Sequence, residues 1–178
     1  MTEFKPAAIK QPLFLFVLSG THVVCLLVLF LFMGCSGSYI YKRYITLPDG
    51  GVWNTGERIR FVAAVTPKQV GNAEVNVTLL IRHATAYEYP NLLLKLRIKE
   101  PEQTLFTEYE YDLPIKKPNG TNAGSGMGNT WDIKFPLLQN KPLLTKPGNY
   151  TFELEHLMPT EQLFLIKEVG LLIERGGK

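Results

Sequence analysis

Glu74–His83 reads EVNVTLLIRH, and Asn91–Lys99 reads NLLLKLRIK. In the first stretch Val75, Val77, Leu79 and Ile81 occupy alternate positions. In the second Leu92, Leu94, Leu96 and Ile98 do so, with Lys95, Arg97 and Lys99 between them. Successive side chains of a strand point to opposite faces, so a period of two places one face of each segment in a core and the other in water. One-sided burial is a property of antiparallel sheets; strands of parallel sheets are covered on both faces and read as unbroken apolar runs.

The same alternation extends outward from these two segments. Tyr39–Thr46 (YIYKRYIT) is β-branched and aromatic, and Pro48-Asp49-Gly50-Gly51 after it is a turn. Arg58–Thr66 ends before Pro67. Thr104–Leu113 puts Leu105, Thr107, Tyr109 and Tyr111 on one face. Trp131–Phe135 is a short strand cut by Pro136. Tyr150–Leu157 alternates Tyr150, Phe152, Leu154 and His156 against Thr151, Glu153 and Glu155, and Val169–Arg175 closes the series. These are about eight short strands separated by turn signals, which predicts an all-β fold, an antiparallel β-sandwich. One helical turn is expected over Pro159–Leu165, capped by Thr160. Pro114–Thr130 carries four glycines between Gly120 and Gly128 and reads as a long flexible or partner-binding loop. No Lys-Ser/Thr and no helical pattern follow its glycines, so it is not a phosphate-binding P-loop.

The N-terminus follows other rules. Leu13–Gly34 is one apolar run of 22 residues, preceded by Lys5 and Lys10 and closed by Phe32-Met33-Gly34-Cys35. A basic start, an apolar middle and a small residue at the cut point describe an export signal. A cysteine immediately after that small residue describes a bacterial lipoprotein signal, cleaved before Cys35. The domains expected are therefore a signal peptide, 1–34, and a β-sandwich lipoprotein domain, 35–178. The competing reading is an uncleaved anchor, since about 20 apolar residues span a bilayer.

Composition narrows the remaining chemistry. Without Glu3, Lys5 and Lys10 the charge balance is 17 bases to 15 acids, too small to indicate nucleic acid as a partner. Cys25 and Cys35 are the only cysteines and both belong to the leader and its end, so the domain holds no disulfide, thiol or thiolate metal site. His83 and His156 stand at no metal-ligand spacing, and no Gly-x-Ser-x-Gly elbow exists. Glu153 with Glu155, and Glu108, Glu110 and Asp112, read as solvated strand faces. The chain is expected to be no enzyme and to take neither metal nor cofactor. A hydrolase built on His83 is the weakest rival. The aromatic residues Trp53, Tyr87, Tyr89 and Trp131 sit at turns, where rings contact a glycan or a partner protein, or else close the ends of a core. Asn76-Val-Thr, Asn119-Gly-Thr and Asn149-Tyr-Thr match the glycosylation pattern; in a bacterial lipoprotein these are chance matches, and in a eukaryotic anchored protein they would matter.

Taken in order, a lipoprotein cysteine, Tyr41, Trp53-Asn54, the YPNL of Tyr89–Leu92, the G-x-Y-T-F of Gly148–Phe152 and the VGL-x-I-E of Val169–Glu174 resemble the GldH family of gliding-motility lipoproteins from the Bacteroidota. The resemblance covers nearly the whole chain after the leader, and none of its pieces is a catalytic signature. It implies a lipid-anchored, non-catalytic protein that supports gliding by binding partners of the gliding and type IX secretion apparatus. A diacylglycerol and an acyl chain, such as palmitate, are expected on Cys35. The residues after Cys35 carry no acidic cluster, which points to the outer membrane, facing the periplasm. The alternative is a carbohydrate-binding lipoprotein with Trp53, Tyr87, Tyr89 and Trp131 exposed in a row.

Overall fold

The computed structural model describes residues 39–71 and 74–176. The leader and Cys35 lie outside the described residues. Two antiparallel sheets are present. The first has the order β1 (Tyr39–Thr46), β11 (Ile166–Arg175), β4 (Val75–Ala84), β8 (Thr130–Lys141) and β7 (Ser125–Met127). The second has the order β3 (Ile59–Val65), β9 (Gly148–His156), β5 (Asn91–Lys99) and β6 (Thr107–Pro114). A two-residue ribbon joins β2 (Trp53–Asn54) to β10 (Gln162–Leu163). The all-β sandwich expected from the alternation is present. The three strands beyond the expected eight are β2, β7 and β10, of two or three residues each, too short for a period of two to register.

The core is made by the alternation itself. Val75, Val77, Leu79 and Ile81 of β4 and Val169, Leu171 and Ile173 of β11 lie in one buried cluster with Leu92, Leu94, Leu96 and Ile98 of β5 and Tyr150, Phe152 and Leu154 of β9. Burying a side chain of this size stabilises the fold by about 1.5–3 kcal/mol. Because a slip of one residue would turn each set into water, the alternation also fixes the register.

Four local expectations are corrected. No helix forms at Pro159–Leu165; Gln162–Leu163 pairs with Trp53–Asn54 instead, because Leu163 is needed in the core. β8 does not stop at Pro136 but runs to Lys141, with Pro136 opposite Thr78 and irregular pairing around Val77. β7 covers only Thr130–Asp132, so the rest of β8 is a sheet edge, where a missing N–H is tolerated. Tyr111 of β6 donates its hydroxyl hydrogen to the Leu137 carbonyl (2.9 Å), which satisfies part of that edge. Leu105 leaves the strand face assigned to it and stands in the β5–β6 loop, 80% exposed. The glycine-rich segment is not a loose loop. Lys116 bridges Asn122, Ala123 N–H donates to the Ile115 carbonyl (2.9 Å), and β7 follows.

The outer face of the second sheet carries an ion-pair ladder. Glu153, only 2% exposed, accepts from Arg60 of β3 (2.8 Å) and from Arg97 of β5 (3.0 Å). Arg97 reaches on to Glu108 (2.9 Å), and Lys95 pairs with Glu110 (3.1 Å). Glu153 is thus a carboxylate enclosed by two guanidiniums, not a solvated one.

The strand ends separate the loops into two sets. β1 starts opposite the end of β11 (Tyr39 with Glu174), and Arg175 is opposite Val75, where β4 starts. The connections from β3 to β4, from β5 to β6 and from β8 to β9 start at that end, where β1 also begins. The connections 47–58, 85–90, 115–124 and 157–165 belong to the other.

Candidate functional site

The four connections of the second set are tied to one another rather than standing apart. Leu47 N–H donates to the Lys167 carbonyl (2.9 Å) and Ile166 N–H to the Gly51 carbonyl (3.2 Å). Ala84 N–H donates to Leu165 O (2.9 Å), Thr85 N–H to Asn129 O (3.0 Å), and Ile115 N–H to Pro90 O (2.8 Å). Asn122 adds a side-chain bond to Thr85 O (3.2 Å). Backbone bonds of this kind satisfy groups that would otherwise be desolvated, and they hold the loop residues in fixed relative positions.

The four aromatic residues singled out at turns do not form an exposed row. Trp53 is fully buried; its indole N–H donates to Glu57 O (3.0 Å) and its ring meets His156 edge-on at 5.4 Å. Tyr87 is buried too, 5.6 Å from the His83 ring and 5.8 Å from Tyr89. Burial raises the Tyr87 phenol well above its ordinary range, so it stays protonated. Both residues close the end of the core, the commoner fate of a large ring. Tyr89 and Trp131 are half-buried. The Trp131 indole N–H donates to Thr85 Oγ1 (3.2 Å), and its ring lies over Gly126, where a Cβ would come within 2.7 Å of the ring.

The histidines are held as neutral donors. His83 Nδ1–H donates to the Ala84 carbonyl (2.9 Å), and His156 Nε2–H donates to the Trp53 carbonyl (3.1 Å). Burial strips water from the charged imidazolium, and it lowers both pKa values below the ordinary 6.5. Neither ring is hydrogen-bonded to a carboxylate, and the second nitrogen of each is buried without a partner. His83 is fully buried, so a substrate has no path to it. Among the described residues no group of three or more His, Cys, Asp or Glu side chains is arranged to hold a metal ion.

What this end does offer is a patterned surface. Phe164 is 55% exposed and Met127 88% exposed. Phe164 projects because Leu165 beside it adopts φ +71°, a left-handed conformation that a leucine rarely takes. That kink lets Leu163 and Ile166 enter the core while Phe164 faces out. A shallow depression of about 460 Å³ is lined by Glu88, Tyr89, Thr160, Gln162, Phe164 and Leu165. A second, of about 480 Å³, lies between Met127 of β7 and the Arg82–Asp132 ion pair (2.7 Å). Arg82 holds the Asp132 carboxyl below the usual carboxylate range, so the pair is charged near neutrality. Phe164, Leu165 and Met127 escaped the sequence reading. Phe164 and Leu165 lay in an expected helical turn, and a positive φ at leucine leaves no trace in composition.

Comparison with known proteins follows the same lines. A family model described as GldH lipoprotein matches residues 39–173. No curated protein matches the chain. A solved structure described as "Structure of infectious bursal disease virus Gx strain" is similar at 13% identity and a TM-score of 0.24, over 78% of this chain. The chain spans 30% of the length of that one, and a likeness so low carries no argument.

Proposed function

The chain belongs to the GldH lipoprotein family, and from that membership we propose a lipid-anchored, non-catalytic envelope protein that supports gliding motility by holding partner proteins of the gliding and type IX secretion apparatus. One observation carries the reading: the family match begins at residue 39, four residues after the cysteine that closes a basic-then-apolar leader. Cys35 is the residue that takes the lipid. One acyl chain binds a membrane weakly and several bind it durably, so full acylation of Cys35 makes a lasting tether. The site is the outer membrane, with the domain in the periplasm.

The partner surface is the end of the sandwich away from the start of β1, where Phe164, Tyr89 and Met127 stand over the two depressions. An exposed aromatic anchor beside a shallow pocket, with polar Gln162, Thr160 and Glu88 at its margin, is the usual make-up of a protein contact. The glycan reading is less well supported, because two of its four rings, Trp53 and Tyr87, are buried.

Metabolic labelling with a fatty-acid probe, compared between wild type and Cys35→Ala, tests the tether, together with N-terminal mass spectrometry. Label lost with Cys35, and a mature chain that starts there, is the expected result. An unlabelled chain with an intact leader would refute it. A photo-crosslinker at Phe164 in gliding cells, expected to yield discrete protein adducts that the same group at Lys134 does not, tests the partner surface.

A further inference from the structure

We propose that the end of the sandwich where β1 begins lies on the lipid surface, with Leu105 and Tyr39 set into the headgroup layer; this rests on the lipoprotein reading of Cys35. Covalent geometry supplies the first argument. Three residues separate Cys35 from Tyr39, and the four Cα-to-Cα steps between them reach at most about 14 Å. A lipid on Cys35 therefore keeps the start of β1 within that distance of the membrane. Strands of nine or ten residues at about 3.3 Å each make the sandwich roughly 30 Å long. When one end is held this close, the Phe164 end stands well clear of the lipid.

The second argument is what that end displays. The β5–β6 loop turns through Glu100–Gln103, with Gln103 N–H bonded to Glu100 O (3.2 Å) and Glu102 at φ +66°. Leu105, 80% exposed, follows the turn. The next ring, Phe106, is held back by the Arg97 guanidinium at 4.5 Å and the Lys99 ammonium at 5.3 Å. Leu105 is left as the apolar tip. Tyr39, 52% exposed, marks the opposite margin of the same end, since β1 borders β3 and β6 is the far strand of the second sheet. Between them the loops supply Pro67, Pro142 and Pro147, with Lys68, Lys141 and Lys146, all exposed. An aliphatic tip, an aromatic margin and long-stemmed lysines suit the zone between headgroups and acyl chains. Acids balance the bases (Glu74, Glu100, Glu102 and Glu174 are close by), so the contact is apolar and adds to the tether rather than replacing it.

The domain has no cysteine after Cys35, so a single thiol can be placed at will. Mature lipoprotein carrying Gln103→Cys is labelled with an environment-sensitive dye and reconstituted in phosphatidylethanolamine–phosphatidylglycerol vesicles that contain nitroxide lipid. The same dye at Gln162→Cys reports the other end. The dye at 103 is expected to shift to the blue and to be quenched about two-fold or more, and the dye at 162 to do neither. Leu105→Glu is expected to reverse the quenching at 103 while the acyl chains on Cys35 stay in place by mass spectrometry. Acylated protein whose dye at 103 behaves like that at 162, or is indifferent to Leu105→Glu, overturns the contact alone. Protein without acyl chains overturns the tether, and the contact with it.

Discussion

The two buried histidines make folding sensitive to acid. Each gives its one ring proton to a backbone carbonyl, and burial keeps each pKa below 6.5 in the folded chain. Unfolded, each titrates near 6.5. Below that pH the unfolded chain binds protons that the folded chain does not, so stability declines as pH falls; above it both states are neutral and these groups add no slope. Urea midpoints measured between pH 7.5 and 5 should be flat at first and then drop, each histidine adding up to about 1.4 kcal/mol per pH unit. His156→Gln should remove part of that drop, and an unchanged profile would show that the folded ring takes up a proton as readily as the unfolded one. Glu153 works in the opposite sense, as a charge that must stay. Removing it leaves the Arg60 and Arg97 guanidiniums pointed at an empty position. Arg60 is largely in water, so Glu153→Ala should cost about 3 kcal/mol, the low end for a broken buried pair. Equilibrium unfolding decides the matter: a loss under about 1 kcal/mol would class the ladder with ordinary surface pairs.

The elements differ in how openly the chain declares them. β5 has the limits Asn91–Lys99 that its alternation predicts, because it runs from turn to turn with one phase apolar, and β1 has those of Tyr39–Thr46 that its β-branched and aromatic content predicts. The sequence reading ends β8 at Pro136, but a proline argues against a strand only if its N–H is needed, and none is needed there because the adjacent three-residue β7 pairs no further than Asp132. β6 kept its register but not its start: Leu105 fits the alternation, yet the opposite sheet has nothing to cover it. The candidate surface was the least legible part, with only Tyr89 and Trp131 of the expected rings reaching it. Its key feature is a backbone angle, and this gives a test at the same scale. Leu165→Ala and Leu165→Gly both delete the side chain, but only glycine relieves φ +71°. The glycine variant should therefore be more stable than the alanine variant by about 1 kcal/mol. Equal stabilities would mean that the loop relaxes and Phe164 is not held out by strain. Gly124, at φ +84°, is the converse case, since a Cβ there would collide with the Asp132 carbonyl. Gly124→Ala should free β7 from β8, seen as faster hydrogen exchange at Ser125–Met127, with β4 and β11 still protected.

At the scale of the whole molecule, the short segment before β1 and the fixed loops at the far end make one arrangement. A tether that only retains a protein in the envelope can be of any length. A tether that sets the height of a docking surface cannot. With three residues between Cys35 and Tyr39, the proposed lipid on Cys35 would hold the Phe164 end about one sandwich length, roughly 30 Å, from the membrane. Inserting ten glycine and serine residues between Ser38 and Tyr39 raises the extended reach to about 50 Å and the average span to roughly 20 Å. The core cluster lies wholly after the insertion point, so stability read from urea unfolding should not move by more than about 0.5 kcal/mol. Acylation of Cys35 and recovery in the membrane fraction should also be unchanged. Gliding speed and the yield of Phe164 crosslinks should both fall, because the surface now samples a volume rather than a height and its effective concentration at the partner drops. If gliding and crosslinking survive the insertion intact, the far end is a free-ranging hook, and the three-residue spacer carries no mechanical meaning.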